Sequence, residues 1–557
     1  MRLYKAPLWS LIILLGCYSQ LWAAQKPAKA AIASAHPLAT QAGHEILRKG
    51  GNAFDAAVAV TAVLAVVEPY SSGLGGGGFW LLHRASDGFQ TMLDGRERAP
   101  LAAHRDLYLD AQGDVVADKS IDGALAAGIP GVPAALAHLT ENYGRLPLAD
   151  LLKPAIEVAD MGFAVDDYYR RMATWRLPVL QSHDASAGQF LLQGEVPPAG
   201  HLIKQPDLAA TLRVLAEQGA DGFYRGELAQ RLVDGVQSAG GIWTMQDLHD
   251  YRVVERRPII GHYQGMRITS AAPPSSGGIA ILTILNILQE NNYAELPEPQ
   301  KTHLLVEAMR RAYRDRAEYL GDPDYVQVPV EKLIHPLYGA GLARSIDMQR
   351  ATPSPKQTEI STAEGQDTTH FSILDREGNR VAATLSINYP FGAGVVVPGT
   401  GVLLNDEMDD FSASPGVPNV YGLVGGEANA IEGGKRMLSS MTPTFVEDSQ
   451  RIAILGTPGG SRIITMVLLG ILEMAEGRGP QAWVSRPRFH HQYLPDVIQM
   501  ETDALSETLI GQLTEMGHNF KPLKNRYGNM QAVVWDKSTG QIDAASDPRG
   551  VGMAKID

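Results

Sequence analysis

Asp367-Thr368-Thr369-His370 is the stretch on which the reading of this chain turns. It follows a polar segment and opens a run in which polar and apolar residues alternate, the period of a strand. A threonine hydroxyl is a poor nucleophile until a base stands beside it. A free α-amine on the same residue, with a pKa of about 7.7–8.0, is such a base and reaches the hydroxyl directly or through one water. That amine exists only if the chain is cut between Asp367 and Thr368. The pair therefore predicts a precursor whose scission creates its own catalytic residue.

Outward from the pair, residues 368–375 read as one strand and 381–388 as its partner. Between them, Asp375-Arg376-Glu377-Gly378-Asn379 is the signature of a three-residue hairpin loop with Gly378 in the left-handed position. Pairing Asp375 with Asn379 sets Thr368 opposite Ser386. Alternation then puts Val381, Ala383, Leu385 and Ile387 on one face and Thr384, Ser386 and Asn388 on the other. Ser386 and Asn388 are thus expected beside the new N-terminus.

The chain has 557 residues, enough for one large or two ordinary domains. With 45% hydrophobic and 20% charged residues it is a globular composition, and 57 glycines predict many sharp turns or close backbone approaches. A net charge of −13 argues against nucleic acid or an anionic membrane surface as the main partner. Arg2 and Lys5, an apolar run over 8–15, and Ala23-Ala24 read as an export signal over residues 1–24, destined for the periplasm or the exterior. The clean run is shorter than the ~20 residues a membrane span needs. The one cysteine, Cys17, follows Leu14-Leu15-Gly16, which loosely resembles a lipobox, so a lipoprotein anchored through Cys17 is the alternative. Neither route leaves a disulfide within the fold.

Residues 39–67 read as helical, around Gly50-Gly51-Asn52. Gly73-Leu74-Gly75-Gly76-Gly77-Gly78 lacks the Gly-Lys-Ser/Thr ending of a phosphate loop and precedes a strand, which favours tight backbone packing. Between about 130 and 345 several segments have helical period, with Trp175 and Trp243 as expected core. Pro273-Pro274-Ser275-Ser276-Gly277-Gly278 introduces an apolar helix over 279–288. Residues 351–367, polar with Ile360 their one large apolar residue, read as a flexible tether ending at the cut.

Further clusters accompany the pair. Asp94-Gly95-Arg96-Glu97 lies upstream. Downstream come Asn405-Asp406-Glu407-Met408-Asp409-Asp410-Phe411, Lys435-Arg436-Met437-Leu438-Ser439-Ser440-Met441, Gly456-Thr457-Pro458-Gly459-Gly460-Ser461-Arg462, Pro487-Arg488-Phe489-His490-His491 and Ala545-Ser546-Asp547-Pro548-Arg549. In this order they resemble the γ-glutamyltransferase (glutathione hydrolase) family of N-terminal-nucleophile hydrolases, from near Ala31 to the C-terminus. The resemblance implies an α+β fold, a four-layer αββα sandwich formed jointly by two chains after self-cleavage. These are a large subunit, residues 25–367, and a small catalytic subunit, residues 368–557. It implies removal of γ-glutamyl groups from glutathione and related amides, with transfer to water or to an amino acid or dipeptide. No cofactor or metal is implied.

The same resemblance assigns roles. Thr368 is the nucleophile, with its own amine as general base, and Asp367 ends the large subunit. Ser386 stands where threonine is usual, its hydroxyl bonded to the nucleophile. Gly459 and Gly460 match the pair whose N–H groups form the oxyanion hole. Arg96, Ser439 and Ser440 match the α-carboxylate site; Asn388, Glu407 and Asp410 match the α-amino site. Residues 415–426, with Tyr421, resemble a lid loop over the bound glutamyl group.

Other chemistries fit less well. The acidic run from Asn405 lacks the glycine and glutamate of a calcium loop, since the sixth and twelfth positions are Asp410 and Gly416. His490 and His491, adjacent on a strand, point to opposite faces and read as structural. No HExxH, cysteine cluster or GxSxG elbow is present. An acylase of the same fold acting on glutaryl amides would keep the nucleophile and lose the amino-group reader, which Asn388, Glu407 and Asp410 argue against. An uncleaved binding protein of that fold would have no use for an intact nucleophile and oxyanion glycines.

Overall fold

The computed structural model describes residues 26–116, 118–355, 368–414 and 416–557. The export signal, Cys17 and Asp367 lie outside the described residues. Two antiparallel sheets form the centre. The first runs Met553–Ile556, Ala31–Ser34, Thr369–Leu374, Arg380–Ser386, Gly77–Arg84, Phe89–Gly95, Val254–Arg256. The second runs Ile542–Ser546, Gln531–Asp536, Arg451–Gly456, Thr444–Glu447, Met266–Ser270, Ile259–Tyr263.

Period-two alternation divides the first sheet between two cores. Trp80, Leu82, Phe371, Ile373, Val381, Ala383 and Leu385 pack in one core with the helices Pro37–Arg48 and Ala53–Val67. Phe79, Leu81, Leu374 and Ala382 face the other way, into the core shared with the second sheet and the helices Gly277–Glu290, Glu298–Tyr319 and Ile463–Ala475. The order helix, sheet, sheet, helix is the expected αββα sandwich.

The hairpin has the expected register: Arg380 pairs with Leu374 and Leu385 with Thr369, and the Asp375 N–H donates to the Asn379 carbonyl at 3.1 Å. Gly378 has φ +94°. The Asp375 carboxylate accepts from the N–H groups of Glu377, Asn379 and Ala53, which ties the turn to the start of the buried helix. In the glycine-rich loop, a Cβ on Gly75 would lie 1.9 Å from the Leu403 carbonyl oxygen and one on Gly76 2.2 Å from that of Ser386. The loop is a close-packing device.

Three expectations need correction. Residues 39–67 form two helices, because Gly50 (φ +94°) ends the first and Asn52 and Asp55 build a capping box on the second. Trp243 is buried, but Trp175 is 40% exposed. It closes the helix Asp167–Trp175 off the buried stripe of Tyr169, Met172 and Ala173, and packs edge-on against Tyr389 at 5.0 Å. Finally, the polar segment is anchored where it starts. Ala351 donates to the Met516 carbonyl, Thr352 to Glu307 and Ser354 to Asp496, so hydrogen bonds order a start that offers little apolar surface to bury.

Candidate active site

Thr368 immediately precedes its strand, on the face that looks toward the second sheet. Its Oγ1 lies 3.0 Å from Ser386 Oγ, which also accepts the Asn388 N–H at 2.8 Å. Thr368 has φ +95°, a conformation a β-branched residue adopts only under strain, of about 1–3 kcal/mol. The next side chains on the same face, His370 and Ser372, are held in the inter-sheet layer. His370 bonds Thr384 at 2.8 Å and Ser372 at 3.2 Å through its two ring nitrogens, and burial lowers its pKa to about 3. It is a neutral packing group with no nitrogen left to act as a base.

Opposite Thr368, the second-sheet strand Arg451–Gly456 runs into a turn containing Gly459 (φ +139°) and Gly460 (φ +56°). A Cβ on Gly460 would fall 2.7 Å from the Tyr421 ring. Among the described residues, neither glycine N–H has a hydrogen-bond acceptor. Tyr421 lies in the segment resembling a lid; its hydroxyl donates to the Asn388 carbonyl at 3.0 Å and its carbonyl accepts from Gln492. One cavity is lined by Thr368, Ser386, Asn388, Glu407, Asp410, Tyr421, Ser439, Ser440 and Gly460.

Asn405 builds the acidic wall. Its side-chain carbonyl accepts the N–H groups of Gly128 and Glu407, and its amide donates to the carbonyls of Gly75 and Gly128, shaping the short turn Glu407–Asp410. Arg96, fully buried, does not stand apart with the serines. It pairs with Glu407, with Asp410 at 2.6 Å and with Glu97 at 3.4 Å. Burial opposes its charge, but the three carboxylates outweigh that and hold its pKa above the usual value. Burial also raises Glu407, to about 7 against the pull of Arg96, and raises Asp410 and Glu97. One guanidinium against three carboxylates leaves an acidic excess, and Glu97 Oε1 and Glu407 Oε2 are buried without partners among the described residues. A cation brought into this wall would supply what it lacks.

The loop of Ser439 and Ser440 is bracketed by the segment 273–278. The Ser439 N–H donates to the Pro274 carbonyl, and the Ser276 N–H and hydroxyl both donate to the Ser439 carbonyl at 2.8 Å. Sequence reasoning read Ser275 and Ser276 only as part of the stretch that introduces a helix. It also missed Asp94, which binds the Arg96 N–H and pairs with Arg256, although Asp94 sits in a quoted motif. Glu68, missed too, accepts from the Thr369 hydroxyl at 2.6 Å. No sequence signal marks it beyond an acid between an apolar helix and a glycine-rich loop. His490 bonds Thr465 and Gln492, and His491 bonds Asp496, which are structural roles.

A threonine at the head of a strand and a glycine turn facing it between the two sheets of an αββα sandwich are the arrangement of the N-terminal-nucleophile hydrolase class. Within it, the family described as Gamma-glutamyltranspeptidase matches residues 39–556, and the chain belongs to that family. It is 43% identical to the glutathione hydrolase proenzyme of Escherichia coli strain K12 over 93% of this chain and 90% of that protein. Among solved structures, a cephalosporin acylase from Bacillus halodurans superposes with TM-score 0.82 at 28% identity, covering 95% of this chain and 96% of that one. A γ-glutamyltranspeptidase from Helicobacter pylori superposes with TM-score 0.56 at 40% identity, covering 57% of this chain and 92% of that one.

Proposed function

We propose that this protein is an exported precursor that cuts itself at Asp367-Thr368 and then removes γ-glutamyl groups from glutathione and related amides. In the cut, Thr368 Oγ1 bonds the Asp367 carbonyl carbon, the C–N bond breaks, and the hydroxyl proton passes to the departing nitrogen, which becomes the Thr368 amine. Water opens the resulting ester, leaving an Asp367 carboxylate and a free Thr368 amine. Residues 25–367 and 368–557 become the two subunits. In turnover the amine takes the hydroxyl proton as Thr368 attacks the γ-carbonyl. The oxyanion forms beside the N–H groups of Gly459 and Gly460, and the leaving amine departs protonated. Water or the amine of an amino acid or dipeptide then opens the γ-glutamyl ester.

The observation that carries this reading is the Thr368–Ser386 hydroxyl pair in a cavity walled by acids on one side and a serine pair on the other. The strain at Thr368 adds support, because scission releases the φ constraint of that residue. Asn388, Glu407 and Asp410 would receive the α-ammonium; Arg96, Ser439 and Ser440 the α-carboxylate; Tyr421 would close over both. Thr368→Ala is expected to give one uncut, inactive chain on a denaturing gel. Two chains from that variant would defeat the proposal.

A glutaryl acylase is the second reading, favoured by the superposition on the cephalosporin acylase. Comparing γ-glutamyl and glutaryl p-nitroanilides separates the two, since only a site with a working ammonium reader prefers the former.

A further inference from the structure

Arg316 lies on the long helix Glu298–Tyr319. Its side chain is buried, 4% exposed. Its Nε donates to Ser276 Oγ at 3.0 Å and its Nη2 to Ser440 Oγ at 3.4 Å. Among the described residues no carboxylate stands within ion-pair distance of it. Burial pulls its pKa below the usual guanidinium value, with Asp410 acting in the opposite sense.

Arg96 and Arg316 are therefore unlike. Arg96 is matched by three carboxylates. Arg316 hydrogen-bonds hydroxyls only and feels Asp410 from beyond ion-pair distance, and a buried cation so weakly paired favours an anion brought to it. Ser440 lines the cavity, and Arg316 sits directly behind it. Ser276 links the two, because the hydroxyl that accepts from Arg316 donates to the Ser439 carbonyl.

Building on the γ-glutamyl reading above, we propose that Arg316 is a positioning residue for the substrate's α-carboxylate, holding Ser440 directly and Ser439 through Ser276, and adding positive charge behind the serine pair to that of Arg96. Arg316 does not touch the reacting atoms. Its loss should thus weaken capture of the carboxylate and leave the chemical step alone.

The test uses the processed enzyme with two anilides: γ-glutamyl p-nitroanilide, and 4-aminobutyryl p-nitroanilide, which lacks the α-carboxylate. Arg316→Gln should raise KM for the first by about ten- to a hundredfold, with kcat changed by less than about threefold. For the second, kcat/KM should move by less than about threefold. Arg316→Lys, which keeps the charge, should restore most of the loss. Ser276→Ala, a smaller change should Arg316→Gln not fold, should raise KM for the γ-glutamyl substrate alone. An equal loss on both anilides, or a fall in kcat that Lys does not rescue, marks a merely structural arginine and overturns the proposal. Wild-type enzyme that turns over both anilides equally overturns this proposal and its carboxylate reading together. Wild-type enzyme that prefers the γ-glutamyl anilide while Arg316→Gln leaves its KM unchanged overturns this proposal alone.

Discussion

Removing a single oxygen atom, by Ser386→Ala, tests the site at its centre. That oxygen makes two bonds, to Thr368 Oγ1 at 3.0 Å and from the Asn388 N–H at 2.8 Å. Without it the buried Asn388 N–H loses its acceptor, which costs about 1–3 kcal/mol of stability. The nucleophile loses the neighbour that orients its hydroxyl, for which about 1.4–2.7 kcal/mol, ten- to a hundredfold in rate, is the expected scale. The same hydroxyl attacks in the self-cut and in turnover, so both should slow together. KM should change little, because Ser386 meets the reacting atom and not the ends of the substrate. Processing is followed on a denaturing gel over time, and turnover by initial rates of γ-glutamyl p-nitroanilide per processed chain. Ser386→Thr, which keeps the hydroxyl, should stay within about threefold of wild type in kcat. If Ser386→Ala cuts itself and turns over within about twofold of wild type, the hydroxyl pair has no catalytic meaning.

Two further predictions follow from the same geometry. Gly460→Ala puts a Cβ 2.7 Å from the Tyr421 ring at a residue with φ +56°. It should cost about 1–2 kcal/mol in backbone strain and push Tyr421 off the Asn388 carbonyl, lowering kcat/KM at least tenfold, and a variant of normal activity would remove Tyr421 from the site. Glu68 is raised by burial from its ordinary 4.5 to about 7. A carboxyl raised on folding stabilises the fold fully below its unfolded value, and that stability is lost as pH rises from about 4.5 to about 7, some 3 kcal/mol at most. On an uncut Thr368→Ala background, Glu68→Gln should flatten the fall in urea stability between pH 5 and 7.5, and parallel pH profiles would show that Glu68 does not titrate in that window.

Much of the surroundings of Thr368 was legible in the chain because it is local. The loop from Asp375 to Asn379 dictates the hairpin register, and the register brings Ser386 to Thr368. The glycines at 75 and 76 were readable as packing residues for the same reason, since a loop without side chains invites another backbone against it. Trp175 and the start of the polar segment were misread because their fates are set by neighbours distant in sequence: Tyr389 for the one, and Met516, Glu307 and Asp496 for the others.

The sequence by itself determined where the chain is expected to be cut, which hydroxyls meet, and the alternation that lets one sheet serve two cores. All of these follow from bonding along the backbone and a side-chain period of two. Only the tertiary structure decided how charge is distributed about the cavity: Arg96 bound into the acidic wall, Arg316 left with hydroxyls behind Ser440, and Glu68 beneath Thr369. Charges respond to burial and to whatever stands within a few ångströms, and the residues concerned are brought together across hundreds of positions only when the helices and both sheets close around them.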